Sequence, residues 1–106
     1  MSPIFLVITT VPTQDEANAL SCEAVEQGLA ACAQMQGACQ SVYQWQGKIQ
    51  KSMEYPVHFK TSQLKHQALR DFIAKKHSYD VPEIASVQID AVNDAYAGWI
   101  DQSLGQ

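Results

Sequence analysis

The segment His77-Ser78-Tyr79-Asp80-Val81-Pro82-Glu83 places an imidazole (His77), a phenol (Tyr79) and a carboxylate (Glu83) close together, directly after a long amphipathic pattern. Such a mixture suits ligand recognition or metal ligation, because imidazole nitrogens and carboxylate oxygens both accept hydrogen bonds and hold cations. Metal ligation requires donors that converge. His66 and His77 share a helical stripe, yet a rise of about 1.5 Å per residue separates them by roughly 16 Å, too far to share one ion. His58 and Cys32 fall on different extended segments, so a mixed His/Cys site would need tertiary folding to assemble it.

Each of these residues also has a plainer reading. A single histidine here is most simply a surface or helix-capping group, and Cys32, between Ala31 and Ala33, a small buried core residue. Tyr43, Trp45 and Tyr55 read as packing or interface aromatics, with a ligand-stacking pocket as the alternative. Glu54 and Lys60 share one face of an extended segment, where solvation is the simple expectation and a carboxylate facing a Tyr or Lys across a subunit junction the sharper one. No Ser/His/Asp, Cys/His or paired-carboxylate arrangement is legible, so the expectation is a protein that is not an enzyme.

These groups must be positioned by a single domain over 1–106, because 106 residues with 46% hydrophobic side chains supply one core and not two. A domain of this size gains stability by oligomerising. Seven Lys plus Arg against eleven Asp plus Glu give a formal charge of −4, which offers no electrostatic reason to expect nucleic acid as a partner. The N-terminus Met1-Ser2-Pro3 carries no cationic region and the apolar run after it stops at Thr9, so neither a leader nor a membrane span is expected, and the cytoplasm is the default location. Three cysteines without C-x-x-C spacing predict reduced thiols.

Ile4 to Thr10 is an apolar, β-branched run between prolines, which predicts a first strand. Thr13 and Glu16 form a capping-box pattern, and Ala17, Leu20, Ala24 and Val25 lie on one stripe of a helix from Gln14 to Gln27, stopped by Gly28. Ala30 to Trp45 reads as a strand interrupted near Gly37, and Gly47-Lys48 as its reversal into a strand in which Met53, Tyr55, Val57 and Phe59 alternate with polar residues. Pro56 cannot donate to a ladder and so predicts an edge or a bulge there. Thr61 or Ser62 caps a second helix with Leu64, Ala68, Leu69, Phe72 and Ile73 buried, ending at His77. Ala85, Val87, Ile89 and Ala91 give a fourth strand with one core face, and Asn93 caps a short helix carrying Tyr96, Trp99, Ile100 and Leu104. The order is βαββαβ plus a C-terminal helix, an α+β, ferredoxin-like sandwich with a long hairpin of its second and third strands. Two helices cover one sheet face; the other must meet solvent, a ligand or another subunit.

Leu29-Ala30-Ala31-Cys32-Ala33, Tyr43-Gln44-Trp45-Gln46-Gly47-Lys48-Ile49, Glu54, Lys60-Thr61, His77 to Ile84, and Tyr96 with Trp99 resemble, in order, the motifs of the CutA (CutA1) divalent-cation tolerance proteins. The resemblance implies a trimeric ferredoxin-like protomer whose hairpins extend neighbouring sheets. It also implies a role in the response to metal ions, with copper held in some members by a cysteine at the end of strand one and two histidines before the motif tyrosine. The matching positions here are Thr9, Lys76 and His77, so what affinity this chain has for copper or another divalent cation is expected to be weak and centred on His77 or Cys32. A second expectation is a small-molecule sensing trimer, similar in architecture to the PII regulators, with Trp45, Glu54, Lys60, Tyr79 and Glu83 meeting in a cleft between subunits. A third is a scaffold for a protein partner.

Overall fold

The computed structural model describes residues 3–106; Met1 and Ser2, on which the expectation about a leader partly rests, lie outside the described residues. The elements are β1 (Ile4–Val11), α1 (Gln14–Glu26), β2 (Cys32–Met35), β3 (Cys39–Trp45), β4 (Lys48–Ser62), α2 (Gln63–Lys76), β5 (Ala85–Gln88) and α3 (Asp94–Ser103). The sheet runs β2-β4-β1-β5 with β3 also on β4, and every pairing is antiparallel. This is the α+β, ferredoxin-like order expected from the sequence, with the interrupted second strand resolved as β2 and β3.

Pro56 explains the interruption. In an antiparallel ladder a residue's N–H and C=O point to the same side. Pro56 accepts from Gln36 N–H at 2.8 Å, so its missing donor faces the place where 36–38 leave the ladder. Beyond the break, β3 and β4 form a hairpin closed by Gln46 (φ 51) and Gly47 (φ 77). Two central residues with positive φ make the turn whose twist suits paired strands, so the reversal sits at Gln46-Gly47, one residue earlier than the sequence suggests.

Alternation sets the core. Val7, Val11, Val57 and Phe59 share the helix-covered face with Thr9 and Thr61, and pack against Ala17, Leu20 and Ala24 of α1 and Leu69 and Ile73 of α2. Fully burying an aliphatic or aromatic side chain of this kind contributes about 1.5–3 kcal/mol. Thr13 Oγ1 accepts from Glu16 N–H at 3.1 Å to start α1. Gly28 (φ 72) stops it, with Gly28 N–H to Val25 O and Leu29 N–H to Ala24 O, both 3.0 Å, closing the helix end. Leu64, 81% exposed, and Ala68, also exposed, depart from the predicted stripe of α2, whose buried residues are Leu69 and Ile73 with Phe72 packed beside them; Val25 departs likewise from the stripe of α1.

The opposite face carries Leu6, Ile8, Ala85 and Val87 in register. Ala85 and Val87 therefore do not face the helix-covered core as expected; Val87 is 54% exposed. Nor is this face wholly bare. At one end α3 closes over it, where Ala97, Ile100 and Leu104 pack on Ile4 and Ala31.

Candidate functional site

The 77–83 segment is held from beneath. His77 ends α2, and its ring, fully buried, lies below the segment. Its Nε2–H donates to Thr10 O at 2.8 Å, and its Nδ1 accepts from Tyr79 N–H at 3.0 Å, which assigns the tautomer from the network. Glu16, expected to complete a capping box, instead accepts from Ser78 N–H at 3.2 Å. The same oxygen, Oε2, stands 4.0 Å from His77 Nδ1. Together these contacts tie the segment to the end of β1 and the start of α1. His77 thus caps the end of α2, as one of its two plain readings expects, and its side chain is an internal bracket instead of the surface group of the other.

Above this bracket the segment faces the hairpin. Period-two alternation puts Ser41, Tyr43 and Trp45 of β3 on the same hairpin face as Ser52 and Glu54 of β4. Between this face and the segment lies a cavity of about 800 Å³, lined by Tyr43, Trp45, Glu54, Tyr79, Asp80 and Glu83 among others. Glu54 is only 8% exposed, and its Oε2 accepts from Tyr79 O–H at 3.0 Å. Burial first, then the hydrogen bond and charge of Glu54, push the Tyr79 phenol up to about 12, so it acts as a donor through the physiological range. Ser52 O–H donates to Tyr43 at 3.4 Å across the hairpin.

Of the five ligand-binding residues expected from the sequence to meet in a cleft between subunits, Trp45, Glu54, Tyr79 and Glu83 line this cavity of the single chain. Lys60 does not. Six residues beyond Glu54 on an extended strand is about 20 Å. There Lys60 donates to Gln34 Oε1 at 2.7 Å and lies 5.8 Å from the Tyr96 ring centre. Period two predicted the shared face of Glu54 and Lys60 and could not shorten that distance. Ser41, Ser52 and Glu16 are participants that sequence reasoning passed over. Alternation from Glu54 could have found Ser52; Glu16 was hidden by a local pattern that explained it well.

His77 and Cys32 are not brought together. Cys32 pairs in register with Lys60, and its Sγ is 3.3 Å from Tyr96 Oη, whose phenol is pushed up to about 12 by burial and by this neighbour. All three cysteines are free. His66 stacks on Phe5 at 4.1 Å and meets Ser86 Oγ at 2.7 Å; burial and Arg70 push its pKa below the usual imidazole value. Among the described residues no group of three or more His, Cys, Asp or Glu is close enough to hold an ion.

The copper donor positions implied by the resemblance fit poorly as well. Thr9 is fully buried on the helix-covered face, Lys76 pairs with Glu23 at 3.3 Å, and both His77 nitrogens are already engaged. A hydroxyl, an ammonium and an occupied imidazole make a weak set for a soft metal.

Comparison with known proteins agrees with the architecture. The sequence pattern described as "CutA1 divalent ion tolerance protein" matches residues 5–103. The chain is 34% identical over 99 residues to the divalent-cation tolerance protein CutA of Thermococcus kodakarensis, covering 93% of this chain and 94% of that one. It is also 34% identical over 101 residues to the chloroplastic protein CutA of Arabidopsis thaliana, covering 95% of this chain but 56% of that longer protein. The solved structure of CutA from Synechococcus elongatus PCC7942 superposes with a TM-score of 0.93 at 38% identity, covering 98% of this chain and 92% of that one. CutA1 from Ehrlichia chaffeensis gives 0.94 at 31%, covering 98% and 97%. With its fold, its motifs and these relatives in agreement, the chain belongs to the CutA1 divalent ion tolerance protein family.

Proposed function

We propose that this chain acts in the cellular response to divalent metal ions as a non-enzymatic, cytoplasmic homotrimer, in which direct affinity for copper or another divalent cation is weak. The observation that carries the reading is the distribution of unburied apolar residues. Leu6, Ile8, Ala85 and Val87 line the sheet face that α3 leaves open, and Val42, Ile49 and Met53, each more than half exposed, share one face of the hairpin. A solvated domain rarely leaves two such patches uncovered, and pairing between copies would bury both. The names of the relatives support the divalent-cation role.

Light scattering on the purified chain, with metal analysis of the same sample, tests the reading. A trimer is the expected result, and a monomer would overturn it. Copper titration of the wild type and His77→Gln should give equally weak isotherms. Tight binding lost in the variant would make His77 a ligand after all, at the cost of its internal hydrogen bonds.

A second reading, a small-molecule sensor with the general architecture of PII regulators, is favoured by the cavity that holds Trp45, Glu54, Tyr79 and Glu83. The alternative of a scaffold for a protein partner has no comparable observation in its favour.

A further inference from the structure

The chemistry of the cavity restricts what it can hold. Its volume, about 800 Å³, lies in the range of small-molecule pockets, roughly 300–1,000 Å³. Three carboxylates line it, Glu54, Asp80 and Glu83, together with three aromatic rings, Tyr43, Trp45 and Tyr79, and no basic side chain among the described residues. Lys48 stands opposite Trp45 at the hairpin tip but is not part of the lining.

Glu54 makes the point independently of the count. It is 8% exposed, and no Lys, Arg or His among the described residues pairs with it; its partner is the neutral phenol of Tyr79. Taking a carboxylate out of water without a counter-charge is costly. A cation arriving in the cavity would offset that cost, whereas an anion would add to it.

The kind of cation follows from the remaining walls. A hard divalent ion needs several oxygens converging at about 2.0–2.6 Å, and the described carboxylates do not group in that way. An ammonium group carried on an organic body needs no such convergence. It gains from carboxylates at longer range and from the electron-rich faces of Trp and Tyr, while its apolar part is received by ring surface. We propose that the cavity between the β3–β4 hairpin and residues 78–83 is a binding site for an organic ammonium ion, a primary amine or quaternary ammonium, with its head beside Glu54 and Tyr79 and its body against Tyr43 and Trp45. This rests on the small-molecule reading above and names the ligand class for it, one opposite in charge to nucleotides and phosphates.

The test uses the full chain with Trp99→Phe, which leaves Trp45 as the fluorescent reporter. Choline and butylammonium chlorides are titrated into the chain, with sodium chloride at matching ionic strength as the control and ATP and inorganic phosphate as parallel titrants. The expected result is a saturable change in Trp45 emission with the two ammonium ions alone, weakened about tenfold by Glu54→Gln, which keeps an acceptor for Tyr79. Glu83→Gln, at an exposed position, should weaken it less and serves if the first variant fails to fold. Saturation by ATP or phosphate in place of the ammonium ions would overturn the ligand class and leave the pocket reading standing. No saturation by any titrant would overturn both, and an equal response to sodium chloride, or one indifferent to both carboxylate substitutions, would overturn the site.

Discussion

Tyr79 O–H donates to Glu54 Oε2 at 3.0 Å, joining a loop that follows α2 to the hairpin across 25 residues of sequence. Removing the donor leaves a nearly buried carboxylate oxygen without its partner. Tyr79→Phe should therefore destabilise the chain by about 1–3 kcal/mol in urea unfolding, while Glu54→Gln, which keeps an acceptor, should cost less.

Burial, aided at Tyr79 by the bond to Glu54 and at Tyr96 by the contact with Cys32, sets a pH dependence. The Tyr79 and Tyr96 phenols are raised from 10.0 to about 12 in the folded chain. Between those values the folded state holds protons that the unfolded state has released. Their contribution is thus fully present below pH 10 and is lost as pH climbs toward 12. Phenolate absorbance should show Tyr79 and Tyr96 titrating late, and one late titration should vanish in Tyr79→Phe.

Thr9 and Thr61 are both fully buried on the helix-covered face, yet substitution by valine should act with opposite sign at each. Thr61 O–H donates to Leu29 O at 2.7 Å, whereas Thr9 Oγ1 has no partner among the described residues. Thr61→Val should cost about 1–2 kcal/mol and Thr9→Val should stabilise by up to about 1 kcal/mol, read from denaturation midpoints at unchanged slope.

Val87 projects from the open sheet face beside Leu6, which in turn pairs with Lys60. Val87→Lys would place a second cation on that face without disturbing the core. The circular dichroism spectrum should be retained, and light scattering should show the proposed trimer reduced to monomers.

His77→Ala removes the bracket between Thr10 O and Tyr79 N–H and leaves two backbone groups unpaired. A loss of about 2–4 kcal/mol is expected, partly restored by His77→Gln, with hydrogen exchange accelerated at Ser78 and Tyr79.

Much of this architecture is legible in the chain itself. Alternation in Met53 to Lys60, helical stripes at Leu20 and Leu69, the Gly28 stop and the Pro56 break are local rules, and a residue's nearest neighbours suffice to enforce them. The ordered motifs likewise singled out Trp45, Glu54, Tyr79 and Glu83. What the tertiary structure alone decided is how the segment after α2 is used. Its histidine turned inward, because Thr10 O and Tyr79 N–H needed partners that only the folded end of β1 brings within reach. Glu16 left its own helix start to hold Ser78, and Lys60, on the correct face, was carried away by the length of its strand. Distances between residues far apart in sequence arise from how sheet and helices pack, and no local pattern encodes them.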